Sequence, residues 1–321
     1  MIVSQRRISV TMISESGQVV VNGPDVNPQL EIDVSVNMSV SPTANSATVR
    51  ILNLSQRTRQ QLAGRTKRSI DLTAAILKNE QEGITTKLQG SPIQEVTVVN
   101  RGDAYVRIDA GYDNRGTALL FEGSTQLIRH RKDGPTWSTE MAVGDGLSTM
   151  MAGVGAKTFP PGTLLLDVVR HVGRVMSLDI SVLRSPLQLS DAIGGGHPTF
   201  PYGVTLFDDA RWFMSNMLEP YGAEWFVDRG QFFVVRKGHV LPEPAVEVDF
   251  NSGLLNQPEP GEDGTVRIRS IMRPDIRIGR LVRLNGVDYD GDYRVDNVMH
   301  RINNRQGDAV TEAFLVRPVT L

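Results

Sequence analysis

Six arginines, Arg267, Arg269, Arg273, Arg277, Arg280 and Arg283, fall within seventeen residues near the C-terminal end of this 321-residue sequence. Guanidinium groups at that density can line a path for phosphates or dock an acidic partner. No aromatic side chains interleave with them to stack on bases, so the pattern favours an interface or outward strand faces over specific nucleic-acid recognition. Two other stretches suggest chemistry and fail on spacing. Gly153-Val-Gly-Ala-Lys157-Thr158 hints at a phosphate loop, but Met151 and Ala156 occupy both glycine positions, and Pro160-Pro161 follow where a helix should begin. Asp288-Tyr-Asp290-Gly-Asp292 has the acids of a calcium loop, yet Tyr293 sits where the glycine belongs and Met299 where the closing Glu belongs. A solvated hairpin turn is the better reading. Gly194-Gly-Gly196 lacks the flanking strand and helix of a cofactor site.

The five histidines, His130, His171, His197, His239 and His300, lack the spacing of a zinc protease, and no Gly-x-Ser-x-Gly elbow occurs. The chain has no cysteine, which removes disulfides, thiolate chemistry and cysteine metal sites and suits folding in a reducing cytoplasm. Asp208 and Asp209 fall at an expected helix start, where a carboxylate meets the helix dipole without catalytic duty. The reading is therefore of a non-enzyme with no catalytic, cofactor-binding or metal-binding residue. Acid–base pairs are assembled in space, so a cell-wall hydrolase acting through Glu219, Glu224 or Asp228 is the enzymatic alternative.

Bulk charge names no partner: Lys plus Arg number 34 against Asp plus Glu 36, a net charge of -2. The N-terminal residues carry no apolar stretch of signal-peptide length, and no window approaches the roughly 18 apolar residues of a spanning helix. The expectation is a chain neither exported by that route nor bound to membrane.

The elements that position these residues read as follows. Ile8–Met12, Leu30–Val40 and Ala47–Leu54 alternate apolar and polar residues, as strands with one wet face do. Ser55 then caps a short helix that stops at Gly64. Residues 65–101 form an insertion with weak periodicity and room for one helix. Strand patterns return over Tyr105–Tyr112, Ala118–Gly123, Thr125–His130 and Thr136–Val143. Thr158-Phe-Pro-Pro-Gly162 and Thr199-Phe-Pro-Tyr-Gly203 are related units, each opening an amphipathic helix. Leu165, Val168, Val169, Val172 and Val175 or Met176 form one stripe; Leu206, Ala210, Phe213, Met214 and Met217 form the other. Thr205 and Asp208 fit a capping pattern for the second helix. Strands are expected at Leu178–Val182, Ala223–Val227 and Gln231–Val235, and the Pro242–Gly264 stretch reads as a linker or long loop. Short strands with turns at Asn285-Gly286 and Asp290-Gly291 close the chain. The fold class is β-rich α+β. The domains are 1–146 with the insertion at about 65–101, an α+β middle at 147–241, the linker at 242–264 and a β unit at 265–321.

Several phrases together resemble one family. Ala47-Thr-Val-Arg-Ile-Leu-Asn-Leu-Ser55 with its short helix, Val106-Arg-Ile-Asp-Ala-Gly-Tyr112, Leu120-Phe-Glu-Gly123 and Thr139-Glu-Met-Ala-Val-Gly-Asp-Gly146 are similar to the baseplate hub, or tail-tube-to-spike adaptor, of long-tailed phages. Arg273-Pro-Asp-Ile-Arg-Ile-Gly279 and Gly291-Asp-Tyr-Arg-Val-Asp-Asn-Val-Met-His300 resemble its closing segment, although the usual Gly-Asp after the histidine arrives late, at Gly307-Asp308. The resemblance covers most of the chain outside 65–101. It implies two tail-tube-like antiparallel β-barrel units flanking the middle domain and a homotrimer that presents six similar units. One face would meet a sixfold tail tube or tube initiator and the other a threefold central spike. Other baseplate proteins would be partners, genome DNA would pass non-specifically, and the chain would sit in the virion after assembly in the host cytoplasm. The equivalent hub of a phage-derived bacteriocin or gene-transfer particle is an alternative.

Overall fold

Alternating side chains become strands in the computed structural model, which describes residues 5–14, 17–23, 29–41, 45–63, 97–99, 104–145, 157–176, 198–206, 209–229, 231–261, 263–286 and 288–319. The N-terminal part holds β1 (Arg6–Ser14), β2 (Gly17–Val21), β3 (Ile32–Ser39), β4 (Ser46–Leu52), helix α1 (Gln56–Ala63), β5 (Thr97–Val99), β6 (Tyr105–Tyr112), β7 (Gly116–Asp133) and β8 (Thr136–Gly144). The middle part holds β9 (Lys157–Phe159), β10 (Thr163–Leu164), α2 (Leu165–Val175), β11 (Thr199–Phe200), β12 (Val204–Leu206), α3 (Ala210–Leu218), β13 (Ala223–Asp228) and β14 (Gln231–Arg236). The C-terminal part holds β15 (Val246–Val248), β16 (Glu259–Pro260), β17 (Val266–Ile271), β18 (Leu281–Leu284), β19 (Gly291–Asn303) and β20 (Ala309–Val316).

Fourteen strands form one sheet, with the path β16-β17-β20-β19-β3-β4-β8-β7-β6-β1-β2 and with β5, β15 and β18 off that path. The two β regions are far apart in sequence, yet β19 pairs antiparallel with β3, placing Val298 opposite Met38. Val34, Val36, Val49, Ile51, Met141, Val298 and Ile302 all belong to one buried cluster, while Asp33, Asn37, Thr48 and Arg50 face outward. That is the period of two expected of a half-buried antiparallel sheet. The sheet curls until its far strands meet: the Tyr112 hydroxyl accepts from the Met272 amide at 3.2 Å, and Arg6 Nη1 donates to the Gly307 carbonyl at 2.7 Å. The Pro242–Gly264 stretch, expected as a linker, supplies β15 and β16 and buries Val246, Val248 and Leu254 in the same core.

A repeat runs along this sheet. The run β6-β7-β8-β4 is followed by β3-β19-β20-β17, each set antiparallel throughout. In the first set His130 lies opposite Thr139 and bonds it, Nδ1 to Oγ1, at 2.9 Å; in the second His300 lies opposite Thr311 at 2.8 Å. Both imidazoles are buried, and each is followed by arginine while each threonine is followed by glutamate. The register also slips at the same place, past Gln126 in β7 and past Asp296 in β19, each four residues before its histidine. A bulge at matching positions is a designed feature of strand geometry. Ala118–Gly123 and Thr125–His130, expected as two strands, are one, because that bulge bends β7 without ending it.

The middle part has its own core. Leu165, Val168, Val169 and Val172 from α2, with Met176 just past its end, pack against Ala210, Met214, Met217 and Leu218 from α3. The related Phe-Pro units pair about a local two-fold: Thr163 lies opposite Phe200 as Val204 lies opposite Phe159. The second helix begins later than its capping pattern suggested. Thr205 and Leu206 are in β12, where Thr205 Oγ1 lies 3.1 Å from that of Thr158, and the cap is Asp209, which accepts from the Arg211 amide at 2.9 Å. The Ser55 cap holds, its hydroxyl accepting from the Thr58 amide at 3.1 Å. The proposed helix in 65–101, the strand Leu178–Val182, Gly194–Gly196, His197, Asp208 and most of Gly153–Thr158 lie outside the described residues.

Candidate functional site

The arginine run does not leave a chain of free guanidinium groups. Arg267 pairs with Glu312 at 2.9 Å, Arg269 with Asp308 at 3.1 Å, Arg273 with Asp275 at 2.5 Å and Arg283 with Asp292 at 2.7 Å. A path for phosphates needs unmatched positive charge, and here each charge is answered by a carboxylate. The deepest members instead form a joint between the middle part and the large sheet.

That joint is built on the β13–β14 ribbon. Alternation sends Trp225, Val227, Phe232 and Val234 into the middle core, while Phe226 enters the core of the sheet with Phe233 packed beside it, rings 5.5 Å apart. A two-faced ribbon between two cores requires a neighbour that comes close: a Cβ at Gly279, where φ is 74°, would stand 2.6 Å from the Phe226 ring. Polar ties reinforce the apolar ones. Arg277 bridges Asp228 at 2.5 Å and Glu243 at 2.6 Å, with Arg280 3.0 Å from the same Glu243. Arg294 on β19 reaches Glu224 on β13, pairs with the bulge residue Asp296 at 2.7 Å and donates to the His239 carbonyl at 3.1 Å. From the first repeat, Asn45 donates to the Val227 carbonyl at 2.5 Å.

Asp228 is wholly buried, and burial pushes its carboxyl above the usual range against the opposing pull of Arg277 and Arg229. Arg229 takes φ 53°, donates to the Pro274 carbonyl at 3.0 Å and is lowered by burial. Removing either partner from such a cluster would strand a buried charge.

The three carboxylates of the enzymatic alternative are thereby located. Asp228 and Glu224 are engaged by Arg277 and Arg294, and Glu224 also accepts from the Gly238 amide at 3.1 Å. Glu219 opens the 3-10 turn after α3. His130 and His300 are held neutral, burial lowering the first to about 4 and the second to about 3. His171 packs edge-on against Phe159 at 5.4 Å. No group of three or more His, Asp or Glu suited to a metal occurs among the described residues. Asp288 and Asp290 stand exposed in the expected hairpin turn, with Gly286 at φ 66° and Gly291 at φ 137°. A cleft of about 460 Å³ between the repeats is lined by Tyr112, Arg115, Met272, Arg273 and Asp275. Sequence reasoning missed the ribbon's second apolar face and the His–Thr pairs. The signal for the pairs was present as His-Arg followed by Thr-Glu in both halves.

No protein-family model matches the sequence, and no curated protein matches it. Solved structures do match. The 43 kDa tail protein of prophage MuSo2 from Shewanella oneidensis aligns over 97% of both chains with a TM-score of 0.58 at 8% identity. A tail protein from Neisseria meningitidis aligns over 97% of this chain and 96% of its own, with a TM-score of 0.54 at 10% identity. An E. coli component of the type VI secretion system, described as structurally similar to the bacteriophage T4 tail proteins gp27 and gp5, aligns over 92% of this chain and 76% of its own. Its TM-score is 0.53 at 8% identity. Nearly end to end, and at identities that leave only the backbone in common, the chain has the fold of prophage tail proteins.

Proposed function

We propose that the chain is a structural hub of a phage-type tail, three copies closing into a ring that joins a sixfold tube to a threefold spike around a channel. The observation that carries this reading is the tandem repeat. Two four-strand sets, each with a buried His–Thr pair and a bulge four residues before the histidine, lie side by side in one sheet. These sets are the candidate tube-like units, and three chains would present six of them, which resolves a sixfold-to-threefold mismatch by duplication. The likeness to prophage tail proteins over almost the full length supports the same reading.

The joint gives the α+β part its role: clamped by Arg277 and Arg294, it would follow the ring as a rigid attachment for spike-side or baseplate partners. The engaged carboxylates support a mechanical role over hydrolysis. Genome DNA would pass without specific contacts. The chain would be part of the virion, made in the host cytoplasm. The likeness to a type VI component favours, as a second reading, the hub of an injection device that carries no genome.

Mixing the purified chain with the tube and spike proteins of the same tail tests the proposal. A complex with three hub chains that binds the tube protein at one face and the spike protein at the other is expected. A chain that binds neither partner contradicts it, and clearing of peptidoglycan that Glu224→Ala abolishes would move the assignment to the enzyme. Packaged DNA in the purified particles separates a virion from a genome-free device.

A further inference from the structure

Two Asn-Gly pairs occur in the sequence, Asn22-Gly23 and Asn285-Gly286, and the structure treats them in opposite ways. Glycine after asparagine leaves the next backbone nitrogen unshielded, so that nitrogen can reach the side-chain carbonyl carbon wherever the local chain is free to turn. Asn22 is 4% exposed, and both ends of its amide are held by one residue. Its Nδ2 donates to the Leu30 carbonyl and its Oδ1 accepts from the Leu30 amide, each at 2.7 Å. Gly23 is buried beside it. Asn251 is exposed before a small residue, but the Ser252 amide is committed to Asp249 Oδ1 at 2.5 Å. Asn285 and Gly286 are both exposed in the β18–β19 turn. Gly286 has φ 66°, open space where a side chain would stand, and no acceptor for its amide among the described residues.

The Asn285 amide is also a structural tie. Its Nδ2 donates to the Glu247 carboxylate on β15, and its backbone amide donates to the Val248 carbonyl at 3.2 Å. β15 runs parallel to β18 with Glu247 opposite Arg283, whose Nη1 lies 3.3 Å from that carboxylate and which is shared with Asp292 at 2.7 Å. The same short stretch carries Glu243, the carboxylate that Arg277 and Arg280 hold in the joint, and the Glu247 carbonyl accepts from Arg273 at 2.8 Å. Asn285 is the neutral donor that lets Glu247 lie against the turn.

We infer that Asn285 is a site of spontaneous modification, converted by water to aspartate and isoaspartate, and that the conversion loosens β15. The Gly286 nitrogen bonds to the Asn285 side-chain carbonyl carbon and gives up its proton as the bond to Nδ2 breaks and ammonia leaves. Water then opens the cyclic imide. Attack at the side-chain carbonyl gives aspartate, and attack at the backbone carbonyl gives isoaspartate, with the main chain rerouted through the side chain. Water is the one co-reactant. Either product removes the amide donor, and the aspartate sets a carboxylate against that of Glu247, where like charges repel. The inference stands whether or not the chain forms a ring.

The full chain, kept folded in warm, mildly alkaline buffer made with heavy-oxygen water, is digested and read by mass spectrometry, since opening of the imide incorporates solvent oxygen. Asn285 should convert at least about tenfold faster than Asn22 or Asn251, with aspartate and isoaspartate peptides both present. In urea the two Asn-Gly pairs should convert at similar rates, which ties the difference to the fold. A folded chain in which Asn285 converts no faster than Asn22 overturns the site. For the consequence, hydrogen exchange at the β15 amides should be at least about tenfold faster in Asn285→Asp than in the unaltered chain. Adding Glu247→Gln, which again sets a donor against an acceptor, should return exchange toward its original rate. Exchange that Asn285→Asp leaves unchanged overturns the loosening, and fast exchange that Glu247→Gln fails to slow overturns charge repulsion as its cause.

Discussion

The two long hairpins, β7–β8 and β19–β20, share an interior and differ at the surface. Inside, each places a histidine opposite a threonine and bends at a bulge four residues earlier. Outside, the first sets Trp137 against the Arg59 guanidinium of α1 and the Lys132 ammonium, while the second is tied into carboxylate pairs and, through Arg294, holds the middle part. The difference teaches which features belong to the unit and which to its position. What makes a strand set fold is retained in both copies, and what makes contact with something else has diverged.

The largest expected effect breaks the second half alone. Arg277→Ala strands Asp228 in a dry site and should cost about 3–5 kcal/mol in urea unfolding. Because the clamp lies only in the second half, the loss should come as an early separate transition in which Trp225 fluorescence changes before the sheet unfolds. One cooperative transition would mean that the ribbon, and not the charge pair, fixes the middle part.

Next comes a pH effect that both halves should share. Folding lowers His130 to about 4 and His300 to about 3, so the unfolded chain binds the extra protons. Stability is therefore full above about pH 6.5 and falls as pH drops toward these values, each histidine costing roughly 1.4 kcal/mol per pH unit across that window. Removing one histidine, as His130→Leu or His300→Leu, should flatten part of the acid slope of the melting temperature, and the double variant should flatten more. A slope untouched by either change would separate the His–Thr pairs from acid sensitivity.

Gly279→Ala should cost about 1–3 kcal/mol, since φ at 74° disfavours a side chain and its Cβ would press on Phe226. A thermal melt reads this, and relief by the accompanying Phe226→Leu would confirm the contact. The smallest effect belongs to the outer arginines. Arg267→Ala removes an exposed pair with Glu312 and should change stability by less than about 1 kcal/mol in the same melt.

Much of the fold was legible because strand alternation is local. Ile32–Ser39 and Ser46–Leu52 show their buried face directly in the residue pattern, and so do the stripes of α2 and α3. The pairing of β19 with β3 was not legible, since partners so distant along the chain leave no mark on either strand. The Pro242–Gly264 stretch looked like a linker because its prolines and acids hide three buried anchors, Val246, Val248 and Leu254. The arginine run was visible as charge, but its neutralisation depends on Asp228, Glu243, Asp292, Asp308 and Glu312, which folding alone brings to it. The His-Arg and Thr-Glu phrases were repeated in plain sight, at unequal loop lengths that concealed their correspondence.

Cryo-electron microscopy of the purified assembly viewed down its axis tests most directly whether two strand sets in one chain act as two ring units. Six similar lobes contributed by three chains, alternating between the His130 and His300 sets, are the predicted image. A ring with as many lobes as chains, or with the two sets at different radii, would contradict it.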